Sequence, residues 1–287
     1  MPAAPDKPVI GLPEAAERLG VHYMTAYRYV RTGRLPATLV GGVWRIDPTD
    51  VLEVIARRAE RPQTRGGSPS KAASMFEQRL VMGDEAGALG ICHDALASWA
   101  APVDIYNHVL VPAMRSIGRR WQTGELTVAD EHRAAAVVIR VMGRLGPHFV
   151  HPGRRRGTVV IGSPAGDSHS IPVMMVGDLL RDAGFNVVDL GADTPAQSFV
   201  EAARTSDRLV AVAIGATLPL NESAVADAVS SVHGALPGTT VIAGGSGLPT
   251  RAAAQLVGAD RWSGSDGAAL VHVAIELEMA TDTRSAQ

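Results

Sequence analysis

Hydrophobic and polar positions change rhythm three times along the chain. Leu12, Ala15, Ala16 and Leu19 recur at three-and-four spacing, which puts them on one face of a short helix that Gly20 stops. A second helix is predicted from about Tyr23 to Arg31, with Gly33 as its stop. Leu39-Val40-Gly41-Gly42-Val43-Trp44-Arg45-Ile46 reads as two short strands around a Gly-Gly turn, and a helix from Pro48 to Arg58 closes a first domain, 1–60. The stretch RPQTRGGSPS then loses all periodicity, and its Gly, Pro and Ser content predicts a flexible linker, 61–70.

From 71 to 150 the pattern is helical throughout, with helices over about 71–82, 85–99, 102–120 and 128–146 punctuated at Gly83, Pro102, Gly124 and Gly146. Short connections between amphipathic helices favour an antiparallel four-helix bundle. Residues 157–287 alternate instead. Strand-like runs at Thr158–Gly162, Asn186–Gly191, Leu209–Ala216 and Thr239–Gly244 separate helix-like runs at about 171–183, 195–206, 221–235, 250–257 and 266–280. That alternation predicts a Rossmann-like α/β domain with a parallel sheet and helices on both faces. The expected fold is multidomain, and no repeat of 20–50 residues is visible.

Composition adds limits. The 287 residues are 46% hydrophobic, which excludes a disordered or fibrous chain. The one cysteine, Cys92, excludes a disulfide framework and a cysteine-based zinc cluster. The start, MPAAPDKPVI, lacks the apolar run of a signal peptide, and Leu209–Leu220 is too short to span a membrane, so a cytoplasmic protein is expected. The net charge of −2 conceals an asymmetry: residues 1–156 hold 21 Lys and Arg against 15 Asp and Glu, residues 157–287 hold 6 against 14. A polyanion, if one binds, meets the front.

Two helices joined by a glycine-containing turn make a helix-turn-helix, whose second helix can enter the major groove of double-stranded DNA. Here that helix would present Tyr23, Thr25, Arg28 and Arg31, while the Gly41-Gly42 hairpin would act as a wing with Arg45, and Trp44, near the backbone or minor groove. The plainer reading takes Tyr27, Val30, Trp44 and Ile46 as core, and a three-helix module can also bind protein. LPEAAERLGV, YRYVRTGRLP and VGGVWRI resemble the MerR-like and excisionase-like winged helix-turn-helix family, which implies an operator-binding role.

At the carboxyl end of the first strand of the α/β domain stands Ser163-Pro164-Ala165-Gly166-Asp167-Ser168-His169-Ser170-Ile171-Pro172. Open α/β sheets bind ligands at that edge. A histidine there can ligate a metal through one ring nitrogen while a carboxylate two residues earlier holds the other. Asp-x-His alone reads rather as a turn with a surface histidine. With Gly215-Ala216-Thr217 and Gly244-Gly245 at the following strand ends, the segment resembles the B12-binding domain of methionine synthases, mutases and B12-dependent regulators. The resemblance implies cobalamin as cofactor, His169 as the lower cobalt ligand, and a groove near Gly215, Thr217, Gly244 and Gly245 for the displaced nucleotide tail, with Asp167 and Ser168 in the same site. Pro172 stands where that family has Gly, and Gly215 where it often has Ser.

Within the helical segment, nine residues separate Trp121 from Glu131-His132, and Thr127 with Asp130 marks a helix start between them. A core tryptophan beside a solvated pair is the bland account of these three residues. The order of the three segments resembles the CarH/LitR family of B12-dependent photoreceptor repressors. That resemblance implies that Trp121, Glu131 and His132 pack against the upper 5′-deoxyadenosyl group of adenosylcobalamin, with methylcobalamin as another form. It also implies a homo-oligomer, a tetramer, that binds DNA in the dark and disassembles in light. Some relatives carry His after the tryptophan; here it is Gln122. Two other accounts stay open, a corrinoid carrier of a methyltransferase system and a regulator that has lost cobalamin dependence. No acid–base pair or nucleophile motif points to an enzyme, and His22, His93, His108, His148, His151, His233 and His272 fit no ligand spacing.

Overall fold

The computed structural model describes residues 9–19, 23–31, 33–59, 68–153, 155–219, 222–264 and 267–285. The chain divides into two compact units, 1–137 and 138–287.

In the first unit, α1 (Leu12–Arg18) and α2 (Tyr23–Arg31) precede a hairpin of β1 (Thr38–Val40) and β2 (Val43–Arg45), then α3 (Pro48–Ala59). Leu12, Ala15, Ala16 and Leu19 are all buried, as their spacing requires. The hairpin turns on Gly41 and Gly42, both at positive φ, and pairs Val40 with Val43 and Thr38 with Arg45. A two-residue turn of that kind matches the twist of the strands, and glycine adopts it without strain. Buried Ile10 and Ile46 exchange both backbone hydrogen bonds, at 2.9 and 3.0 Å.

Four helical runs follow: α4 (Pro69–Met82), α5 (Glu85–Ser98), the run from α6 (Pro102–Ile105) to α7 (Val111–Gln122), and α8 (Val128–Leu145). The expected linker lies mostly outside the described residues, and Pro69 and Ser70 already open α4. The run expected over 102–120 is not one regular α-helix, because Tyr106–Leu110 form a π turn. Pro112 follows at once; in a regular helix its ring would crowd the carbonyl four residues back, and the wider register accommodates it. Phe76, Leu80, Cys92, Ile105, Tyr106 and Leu110 form the interior.

In the second unit a short 3₁₀ turn (Gly146–Phe149) leads to a five-stranded parallel sheet. Its strands are β3 (Thr158–Gly162), β4 (Asn186–Asp189), β5 (Leu209–Gly215), β6 (Val241–Gly244) and β7 (Arg261–Trp262), in the order β4-β3-β5-β6-β7. Between and after them run α9 (Ser170–Asp182), α10 (Ala196–Thr205), α11 (Glu222–Ala235), α12 (Arg251–Leu256) and α13 (Gly267–Ser285). Four strands are expected from the sequence; the fifth, β7, has two residues, too few to show alternation. Val160, Val212, Ile214, Val241 and Ala243 point into one layer with Phe199, Val225 and Val229 of α10 and α11. On α9 and α13 another layer is built, the two helices packing on each other. Strands covered on both faces read as continuous apolar runs, as β5 does. Among the described residues no helix is long and apolar enough to cross a membrane.

Candidate functional site

All strands of the sheet being parallel, their carboxyl ends share one edge. The order reverses between β3 and β5, and such a switch point opens a crevice outside the strand ends. The loop after β3 carries Asp167 and His169, the loop after β5 carries Thr217, and the loop after β6 carries Gly245.

Asp167 is fully buried. Its Oδ1 lies 2.8 Å from His169 Nδ1 and accepts from His169 N at 3.1 Å, while Oδ2 accepts from Thr217 N at 2.6 Å and Leu218 N at 3.4 Å. Burial pushes this carboxyl up. The hydrogen bonds from Thr217, the His169 ring, His169 N and Leu218 together outweigh it and hold the group below the usual carboxylate value. An ionised Asp167 takes a proton on Nδ1 as its partner, which leaves Nε2 as the lone-pair nitrogen, on a side chain open to solvent. The imidazole side chain is 45% exposed, at the N-cap of α9. Pro172 sits in the first turn of α9, where a missing N–H costs no intrahelical bond. Ser168 is exposed beside the histidine.

Beside this loop a narrow groove runs between α9 and the sheet. Pro172, Val173 and Val176 line one side, and Gly215, Thr217, Gly244 and Gly245 line the other. A Cβ on Gly215 would make ordinary contact with Val173 at 3.7 Å, so the absent hydroxyl widens the groove without being forced by packing. Packing, in contrast, requires the other glycines. Their role is not only close approach to a ligand: a Cβ on Gly244 would strike Ser263, and one on Gly245 would strike the carbonyl of Ala216. These glycines let the loops after β5, β6 and β7 close on each other and so form the groove wall.

The donor set fits a metal that brings its own equatorial ligands. Among the described residues no cluster of three or more His, Cys, Asp or Glu is disposed to hold an ion, so one oriented imidazole beside an apolar slot suits a corrin-bound cobalt and its flat, largely apolar base.

In the first unit, Trp121 ends α7 at 45% exposed, and Glu131 and His132 lie near the start of α8, across the turn 123–127. Thr127 and Asp130 cap that helix reciprocally, at 3.0 and 3.2 Å, as their spacing suggested. His132 Nε2 lies 3.6 Å from Glu131 Oε2. Gln122 is exposed beside Trp121.

Of the residues expected at DNA, Arg31 and Arg45 are exposed and Tyr23 and Arg28 partly so. Thr25 corrects the expectation: it is buried, its hydroxyl 3.5 Å from Asp104 Oδ1 of α6. Met24, Ala26, Tyr27 and Tyr29 are buried with it. Sequence reading missed Asp193, whose carboxylate and amide both bond the histidine loop. Its signal was position, in Gly-Ala-Asp-Thr-Pro directly after a strand.

Residues 73–145 and residues 157–274 each match a B12 binding domain family, and residues 9–59 match a helix-turn-helix domain. A trimethylamine corrinoid protein of Methanosarcina acetivorans is 35% identical over 124 residues, 42% of this chain and 57% of the relative. A corrinoid protein of Desulfitobacterium hafniense is 25% identical over 194 residues, 66% of this chain and 89% of the relative. The chain thus spans about half the length of the first of these. The solved monomethylamine corrinoid protein of Methanosarcina barkeri superposes with a TM-score of 0.64 at 20% identity, over 73% of this chain and all of that one, which shows a shared fold. Cobalamin is the cofactor of this chain. The protein is a cobalamin-binding, helix-rich multidomain chain with a parallel-sheet Rossmann-like domain and an N-terminal DNA-binding motif.

Proposed function

We propose that this chain is a cobalamin-controlled transcriptional repressor of the CarH/LitR type. Its domains would be 1–60 for operator binding through a winged helix-turn-helix, 71–150 as a helical cap, and 157–287 for the cofactor. The observation that carries the reading is the helix-turn-helix match at 9–59 in the same chain as two B12-binding matches. A protein that only carries a corrinoid has no need of the first.

When bound, adenosylcobalamin, the form favoured here, supplies a cobalt centre with an alkyl upper ligand that light can cleave. His169 would hold cobalt from below through Nε2, Asp167 fixing its tautomer. The groove between α9 and the sheet, lined by Gly215, Thr217, Gly244 and Gly245, would exclude water around the nucleotide tail, and Ser168 would meet the cofactor beside His169. Trp121, Glu131 and His132 would meet the upper group. Tyr23, Arg28, Arg31 and Arg45 would contact double-stranded DNA. A single module binds weakly; several on one oligomer gain about 10²–10⁴ in avidity, so a cofactor that stabilises assembly controls operator occupancy. Gel filtration and operator binding with adenosylcobalamin, dark against illuminated, test this: a large dark species that dissociates in light supports it, and unchanged size and affinity overturn it.

A second reading, a corrinoid carrier of a methyltransferase system, is favoured by the names of the relatives. Demethylation of the methylcobalamin-loaded chain by a methyltransferase partner, with no shift of DNA from its own promoter, would decide for it. Neither reading assigns turnover to this chain alone.

A further inference from the structure

Asp193 stands in the loop between β4 and α10 at φ 51°, a left-handed conformation that few residues other than glycine adopt readily, Asp and Asn among them. Two bonds depend on it. Its Oδ1 accepts from Gly166 N at 2.7 Å, and its own N–H donates to Asp167 O at 2.8 Å. Residues either side continue the seam: Thr194 N donates to Ser163 O at 2.9 Å, and Ser163 N to Gly191 O at 2.8 Å. The loop carrying His169 is therefore gripped from two directions. Asp167 reaches across to Thr217 and Leu218 after β5, and Asp193 reaches in from β4 on the other flank.

The second grip bears on the metal ligand. One Asp193 bond ends on the peptide that enters Gly166 and the other on the peptide that leaves Asp167, so together they bracket the stretch of backbone from which the Asp167 carboxylate departs, and that carboxylate orients the imidazole. A displacement of that backbone is passed to the Asp167–His169 pair, because Asp167 is fully buried and its carboxylate is fixed by four hydrogen bonds. Asp193 is itself exposed and contributes nothing to the core, so a role in folding alone leaves its two directed bonds and its left-handed backbone unexplained.

We infer that Asp193 is a positioning residue for the lower cobalt ligand, acting on His169 through the backbone on either side of Gly166 and Asp167. The inference rests on the assignment of His169 as that ligand. It is tested on full-length protein reconstituted with cob(II)alamin and read by electron paramagnetic resonance, with ¹⁵N-histidine labelling to mark the axial nitrogen, and by cobalamin affinity. Four variants separate the causes. Asp193→Asn keeps the conformation and an acceptor and is expected to match wild type. Asp193→Gly keeps the conformation without strain but removes the acceptor, and Asp193→Ala removes both. Each of the last two is expected to weaken cobalamin binding about tenfold or more and to diminish the labelled axial nitrogen signal, the range typical of groups that orient a metal ligand. His169→Ala must abolish that signal. Where His169→Ala abolishes it and Asp193→Gly leaves signal and affinity as in wild type, the role of Asp193 is overturned and the ligand assignment stands. Where His169→Ala leaves the signal intact, the ligand assignment fails, and the inference with it.

Discussion

Asp167 concentrates more of the site in one side chain than any other residue. It is buried, ionised and satisfied by three backbone N–H groups and a ring nitrogen. Asp167→Ala strands the N–H groups of Thr217 and Leu218, and about 1–3 kcal/mol of stability is expected to be lost on chemical denaturation along with the fixed tautomer of His169. Gly215→Ser is the contrasting case. Its Cβ meets only an ordinary contact, so stability should change by less than about 0.5 kcal/mol, while calorimetry reports whether the added hydroxyl raises cobalamin affinity. Cys92 gives a pH prediction. Burial pushes its thiol up to about 12. The native chain thus keeps a proton that the unfolded chain releases near 9, so the contribution is fully present below pH 9 and declines as pH rises from 9 towards 12. A thiol-reactive dye at pH 8 should label Cys92 only after unfolding.

The elements are specified locally to an unequal degree. The face of α1, the Gly-Gly hairpin and the Thr127–Asp130 cap follow from spacing and turn chemistry within a few residues, and each was legible. The π turn at Tyr106–Leu110 was not, since helical periodicity tolerates one extra residue per turn and the clue is a proline that ordinarily reads as a break. Pro112→Ala should therefore let this segment relax towards regular α-helix, seen as altered amide shifts confined to residues 105–112. In the sheet, β7 was missed because two residues carry no period. Gly245→Ala is expected to be harmful at this scale: at φ 104° its Cβ meets the Ala216 carbonyl, which would prise apart the loops after β5 and β6 and lower both the melting temperature and cobalamin uptake.

For the whole molecule, the basic front, residues 1–156, and the acidic rear direct any polyanion to the front. If Arg31 and Arg45 touch phosphate, replacing either by Ala should reduce operator affinity across sequences and lower the salt slope by about 1, measured by titration at several ionic strengths. Burial of Thr25 removes it from that set, and Thr25→Ala is expected to leave base preference unchanged.

Sequence alone determined the kinds of element and marked Asp167 and His169 as a candidate pair. Amphipathic spacing, turn residues and Asp-x-His act over a handful of neighbours, and nothing distant needs to be known to read them. Tertiary structure decided which groups converge. Folding brings the backbone N–H groups of Thr217 and Leu218 fifty residues back onto Asp167, and it lays Asp193 against Gly166 across a strand crossover. Those bonds join residues remote in the chain, and their partners are main-chain atoms, which every residue possesses and no sequence pattern marks.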